Sequence, residues 1–157
     1  MSQAVIMAQK GAIDTSFTLL NQFIEVCPDE IWREKSGGWP VWQQVYHCIS
    51  AVSFFTGLNE GIPSLAEESV SGLEKAAEET VDKAKVKEAL QAAQATVEKY
   101  VSSITDADLT KRNEPVYAAI EWDISHAFTL SMLAAHNLYH LGSCDAALRN
   151  HGLKGVF

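Results

Sequence analysis

At 157 residues and a formal net charge of −8, the chain has the size of one domain, and residues 1–157 are expected to fold as a unit. Apolar residues make up 47% and charged residues 20%, enough to build a core without disulfide or metal staples. The acidic balance argues against nucleic acid and anionic membranes as partners, and no run approaches the ~18 apolar residues of a membrane span.

Ile6, Ile13, Phe17, Leu20 and Ile24 recur at helical steps and predict an amphipathic helix from about Gln3 to Val26, ended by Pro28. Asp29 to Gly38 reads as a connection with one short turn and a Gly-Gly break. Trp39-Pro40 opens a second helix to about Leu58, since proline suits the first helical turn. Its inward stripe is expected to hold Gln43 or Gln44, His47, Ala51, Phe54 and Leu58. Asn59 to Val81 is a polar connection with one short helix expected around Leu73–Glu78. A connection this long points to a crossover between distant helix ends. A third helix from about Asp82 to Ile104 carries Leu90, Ala93, Val97 and Val101 on one face. Asn113 to Trp122 reads as a loop. The fourth helix is expected from about Ile124 to Asn150, capped by Asp123 and stopped near Gly152. Four long helices, no convincing strand and one long crossover between helices 2 and 3 predict an all-α four-helix bundle.

The three cysteines, Cys27, Cys48 and Cys144, are odd in number and lack a CxxC spacing, so they read as reduced thiols. Met1-Ser2-Gln3-Ala4 runs straight into a helical pattern without a signal-like segment. Both features lead to the expectation of a cytoplasmic protein.

The chemistry concentrates in Ala134-Ala135-His136-Asn137-Leu138-Tyr139-His140-Leu141-Gly142. Histidines at i and i+4 share one helix face, close enough for both rings to reach one ion. That face also collects Ser125, Thr129, Met132, Leu133, Ser143 and Ala147, and the apolar members turn it inward. His47, on the second helix, is the third candidate. Two readings are open from these residues: satisfied core imidazoles, or a metal site. Three interior rings with no adjacent carboxylate are costly to bury unless a cation collects them, which favours the metal.

His126 lies ten residues before His136, too far along the helix to share the site, and is expected on the surface. His151 is distant in the other direction. Cys144, four residues after His140, reads as a small core residue rather than a fourth ligand, and Cys48 points away from His47. Asn137 occupies the place of the glutamate in the zinc-protease HExxH helix, so that general base is missing. No ExxH pair of the di-iron bundles is present.

Trp39-Pro40-Val41-Trp42-Gln43-Gln44-Val45-Tyr46-His47 resembles the W-S-x-x-x-x-x-x-H opening of the second helix in DinB/YfiT-like proteins. His136-Asn137-Leu138-Tyr139-His140-Leu141-Gly142, with Leu148-Arg149 and Gly152, resembles that superfamily's H-x-x-x-H-x-G … L-R-x-x-G ending. The resemblance implies a four-helix bundle, often a homodimer, with a divalent metal on one histidine of the second helix and two of the fourth. Carried over, the ligands are His47, His136 and His140. Pro40 stands where the family often has serine, and Ser143 where glutamine is common.

Three neutral imidazoles leave a divalent ion, Zn, Ni or Fe, with open positions, a catalytic rather than structural pattern. The ion can activate water or bind a thiol as thiolate. The resemblance favours the thiol, since known members include transferases and isomerases that use low-molecular-weight thiols. The expected function is a low-molecular-weight-thiol S-transferase acting on a small-molecule substrate. The alternatives are a metal-dependent hydrolase and a non-catalytic metal- or ligand-binding bundle. No catalytic acid or base is assigned. Gln43, Gln44, Thr129, Leu133 and Ser143 are pocket candidates, with Tyr139 beside them. Trp32 and Trp122 are expected to be exposed aromatics, which together with the family suggests the homodimer.

Overall fold

The computed structural model describes residues 2–58 and 61–156. Seven helices are found among them: α1 (Ala4–Val26), α2 (Asp29–Arg33), α3 (Val41–Thr56), α4 (Glu68–Ser71), α5 (Lys83–Ser103), α6 (Glu114–Ile120) and α7 (His126–Asn150). A small antiparallel hairpin, β1 (Lys35–Ser36) and β2 (Trp39–Pro40), lies between α2 and α3.

The four long helices form the bundle. α1 packs on α5 and α7, and α3 packs on the same two, which makes α1 and α3 diagonal partners. Their directions follow from which ends meet. Gln3 Nε2 donates to the Ile104 carbonyl, and Lys83 bridges to Asp29, so α1 and α5 run antiparallel. Asn113 Nδ2 donates to the Phe55 carbonyl beside the start of α7, and the Cys144 thiol reaches the Val41 carbonyl, so α3 and α7 also run antiparallel. α5 starts where α3 starts, and the two are parallel. The chain must therefore travel the length of the bundle between them, which is why the crossover is long. It runs back along α3: Tyr46 binds Pro63 and Leu65, His47 binds Ser71, and Gln43 binds Val70, Lys75 and Ala77.

The stripes of α1 and α5 are buried as the periodicity predicts, with Ile6, Ile13, Phe17, Leu20 and Ile24 facing Leu90, Ala93, Val97 and Val101. α5 starts on Asp82, whose carboxylate accepts from the Ala84 N–H at 2.7 Å. α3 departs from its expected stripe. Phe54 is 38% exposed and Ala51 only half-buried, while Val41, Trp42, Val45, Ile49, Val52 and Phe55 form the deep core. The reason is that α3 is covered on three sides, by α5, α7 and the crossover, so its apolar arc is wide rather than a single stripe.

Other boundaries also differ from the sequence reading. The short crossover helix sits at Glu68–Ser71, not around Leu73–Glu78, and Asn59 lies outside the described residues. Leu73, with φ at +58°, cannot continue a helix, which breaks the expected segment. Asn113 to Trp122 is largely helix α6, begun by Asn113 as N-cap with Pro115 in the first turn. It stops at Glu121, in the left-handed region. α7 is capped by Ser125, whose Oγ accepts from the Phe128 N–H, rather than by Asp123. The preceding residues are already engaged, since the Asn113 N–H donates to the Ile124 carbonyl and Arg112 bridges Ser125. Trp32 is buried at 2% exposure, with its indole N–H on the Val81 carbonyl, so of the two tryptophans only Trp122 is exposed.

Gly57 ends α3 in the left-handed region and abuts Pro115, a position where a Cβ would collide with the proline ring. At the C-terminus, Asp145 is nearly buried and accepts from Arg149 Nε at 2.8 Å and from the Val156 N–H at 2.6 Å. This ties the tail back onto α7. Among the described residues no helix is long and apolar enough to cross a membrane.

Candidate metal centre

His47 projects from the middle of α3, and His136 and His140 from the middle of α7, where the two helices pack antiparallel. Their ring centroids are 4.7, 4.7 and 4.8 Å apart. One ligand atom from each lies within 4.8 Å of the others, and none of the three histidines is exposed. His47 Nε2 and His136 Nε2 are 2.9 Å apart. Two donors at 2.0–2.1 Å from one ion stand about 2.9–3.4 Å apart for bond angles between 90° and 109°. That pair therefore already has the separation of two ligands on one ion.

Hydrogen bonding fixes which nitrogen of His47 is free. Its Nδ1 lies 2.6 Å from the Ser71 carbonyl, which only accepts, so Nδ1 carries the proton. In the neutral ring Nε2 is then a lone pair, aimed at His136. Two Nε2 atoms at 2.9 Å admit one proton between them, carried by His136; in its other neutral tautomer, with that proton on Nδ1, two lone pairs converge on one point. A metal-ligating histidine almost always donates its other N–H to a carboxylate, carbonyl or water, and His47 has that arrangement.

Burial keeps the rings neutral. It pushes His136 down to about 3, with His47 and His140 nearby adding repulsion, and His140 down to about 4. His47 is lowered as well, chiefly by burial, against the opposing pull of the Ser71 carbonyl. Neutral imidazoles are the form that binds a cation. Phe55 meets His136 edge-on at 5.9 Å, and Tyr139, 77% exposed, meets His140 edge-on at 5.1 Å, so an aromatic edge flanks each α7 ring. Among the described residues no carboxylate or thiol joins this group.

The pocket candidates have definite employments. Gln43 is fully buried and spends its amide on the crossover. Gln44 donates to the Ser36 and Trp39 carbonyls and so pins the hairpin. Ser143 meets that hairpin from α7: its carbonyl accepts from Ser36 Oγ at 2.6 Å, and a Cβ at Gly37 would stand 2.8 Å from its Oγ. Thr129 accepts from Asn113 Nδ2 at 2.7 Å, nearer the start of α7, and Leu133 is core. Asn137 points away from the histidines and donates to Ser16 Oγ on α1 at 3.0 Å.

The remaining histidines and cysteines lie apart from the group. His151 pairs with Glu34 at 2.8 Å. His126 is half-buried rather than on the surface, because its Nδ1 meets the Tyr100 hydroxyl at 2.7 Å. Cys48 and Cys144 are 1% exposed, and burial pushes both thiols up.

Sequence reasoning missed the Ser71 carbonyl and the crossover partners of Gln43. A backbone carbonyl has no sequence signature, since every residue carries one. Gln43 was among the pocket candidates, one helical turn before His47 on the same face, but its partners on the crossover could not be read from the sequence.

No curated protein and no solved structure matches the chain. A sequence profile of the DinB superfamily does match, over residues 12–144, a span that includes His47, His136 and His140. The chain carries the two-helix histidine arrangement within that span and therefore belongs to the DinB superfamily.

Proposed function

We propose that His47, His136 and His140 hold a divalent metal ion and that the protein is a metal-dependent enzyme, a low-molecular-weight-thiol S-transferase. One observation carries this reading: three neutral imidazoles converge, and no protein carboxylate or thiol among the described residues closes the set. Zn, Ni and Fe all accept such a donor set. Bound there, the ion supplies Lewis acidity that lowers the pKa of a thiol or water at an open position.

The chain's own residues do the rest. Ser71 holds the His47 ring by its Nδ1–H and keeps Nε2 free. Phe55 flanks His136 and limits water there. Exposed Tyr139 offers an aromatic edge beside His140 for the apolar part of a small substrate. In the transfer, the new S–C bond forms as the leaving group departs with its electron pair, and the thiol proton goes to solvent. Asn137 is an amide committed to Ser16, which leaves the position used as a base in zinc proteases without one. This weighs toward thiol transfer over hydrolysis.

The test is conjugation of a chloronitrobenzene by added low-molecular-weight thiols, using Zn²⁺-loaded protein and His136→Ala. The expected result is conjugation that His136→Ala reduces by at least about 100-fold, the loss of about 2.7 kcal/mol of transition-state stabilisation. Ester cleavage without thiol would transfer the site to the metal-dependent hydrolase. Inertness in both assays with the ion bound would leave a metal- or ligand-binding bundle.

A further inference from the structure

We propose that Gln43 is a positioning residue that couples the fold of the crossover to metal occupancy. The inference rests on the metal-centre reading above and adds how that centre is held and sensed. Gln43 and His47 stand one turn apart on the same face of α3, and both grip the same stretch of chain. Gln43 Nε2 donates to the Val70 carbonyl at 2.8 Å and to the Lys75 carbonyl at 2.7 Å, and its Oε1 accepts from the Ala77 N–H at 2.9 Å. Both amide donors are used, on either side of a loop that spans residues 70–77. Inside that loop lies Ser71, whose carbonyl takes the His47 Nδ1–H.

The loop closes locally through its own backbone, as in Glu74 N–H to the Ser69 carbonyl at 2.8 Å, and through the Lys75–Glu67 pair at 2.6 Å; what docks it on α3 is the Gln43 amide, with Ser50 Oγ 3.5 Å from the Ser71 carbonyl. α4 is four residues long, too short to persist without tertiary support. Leu73, at φ +58°, ends α4 in a left-handed closure fixed by the Glu74 N–H on the Ser69 carbonyl at 2.8 Å, so the turn has one defined shape to present to α3. The docking of that turn rests on Val70, buried at 7% exposure, and on the fully buried Gln43 amide that bonds both of its flanks. The clamp places the Ser71 carbonyl, the carbonyl sets the His47 tautomer, and the tautomer presents the Nε2 lone pair to the ion. The coupling is reciprocal: if a docked crossover tightens the ion by some factor, the ion stabilises docking by the same factor. An ion that enters the triad is therefore felt in residues 70–77, which lie outside the donor set.

The experiment uses full-length protein and Zn²⁺ as probe, comparing wild type, Gln43→Met and Gln44→Met. The last loses an equivalent buried amide that holds the hairpin instead. Expected in Gln43→Met is a Zn²⁺ affinity lower by about 10–100-fold, the usual cost of losing a ligand's orienting partner. Also expected is loss of the His47 Nδ1–H tautomer signature in imidazole ¹⁵N spectra of the metal-free protein, with Gln44→Met close to wild type in both. In wild type, Zn²⁺ should slow amide exchange across residues 70–77 by a comparable factor, a measurement that does not require either variant to fold. Equal losses in Gln43→Met and Gln44→Met, or exchange at 70–77 indifferent to Zn²⁺, would overturn the coupling while leaving the metal centre intact. Wild type that binds no Zn²⁺, Ni²⁺ or Fe²⁺ would overturn the metal-centre reading and the coupling with it.

Discussion

His126 and His136 stand ten residues apart on α7, about 15 Å along the helix, and meet opposite fates. Around His126 the neighbouring polar groups are ones that can pair with it. Asn113 Nδ2 donates to Thr129 Oγ1, and the Tyr100 hydroxyl meets His126 Nδ1 at 2.7 Å. Burial pushes the Tyr100 phenol up to about 12, which keeps it a neutral donor. Around His136 the nearest polar groups are other imidazoles, which share a single proton between the His47 and His136 Nε2 atoms. A closed network stabilises the fold, whereas three converging neutral imidazoles that can turn their lone pairs to one point are an invitation to a cation. Burial alone does not distinguish these two histidines; the number of donors that face them does.

The largest expected effect concerns the open cluster. Zn²⁺ at a hundredfold excess over its dissociation constant should stabilise the protein by about 2.7 kcal/mol. For a chain of this length that is a rise in Tm of about 5–10 °C, read by calorimetry. His136→Ala should abolish the rise and His126→Ala should retain it. Equal responses from the two variants would erase the contrast between them.

Next is the closed cluster. Asn113 is fully buried, caps α6 through its Oδ1 and donates to both Phe55 and Thr129. Asn113→Ala leaves those partners unpaired and should cost about 2 kcal/mol in denaturant unfolding, with Zn²⁺ affinity unchanged. A loss of affinity as large as the loss of stability would mean that the two clusters are one unit.

The smallest effect is on pH dependence. His136 and His140 have folded values of about 3 and about 4, below the usual 6.5 of an unfolded histidine. Between these limits the unfolded chain binds more protons than the folded one, so stability rises with pH. Their contribution is fully present above about pH 6.5 and is lost as pH falls toward 4 and then 3. In metal-free protein, Tm should therefore drop across this window more steeply in wild type than in His136→Gln. The difference is modest because the rings are only half-buried and solvent screens them. Identical slopes would show that the ring is not desolvated.

Much of the bundle was legible because its signals are local. Ile6 to Ile24 and Leu90 to Val101 repeat at the helical period, and one stripe against one core is what periodicity encodes. α6 went unread although Asn113 and Pro115 mark its start, because the segment is too short for periodicity to outweigh its loop-like flanks. The stripe of α3 was misjudged because a helix covered on three sides has no single inward face. Within the candidate site, His136 and His140 were legible as a pair, since i and i+4 is a local relation. His47 was reached through its apolar helix and the Trp39 to His47 resemblance.

By itself the sequence determined four long helices, the histidine pair on the last of them, and the absence of a base at Asn137. Spacing along one helix is a property of covalent order, which needs no folded partner. Only the tertiary structure decided that His47 Nε2 stands 2.9 Å from His136 Nε2 and that the crossover runs back along α3. It also decided that Ser71 and Gln43, twenty-eight residues apart, act on the same ring's surroundings. These depend on α3 and α5 being parallel, a choice made by packing between distant segments, and a local pattern cannot record it.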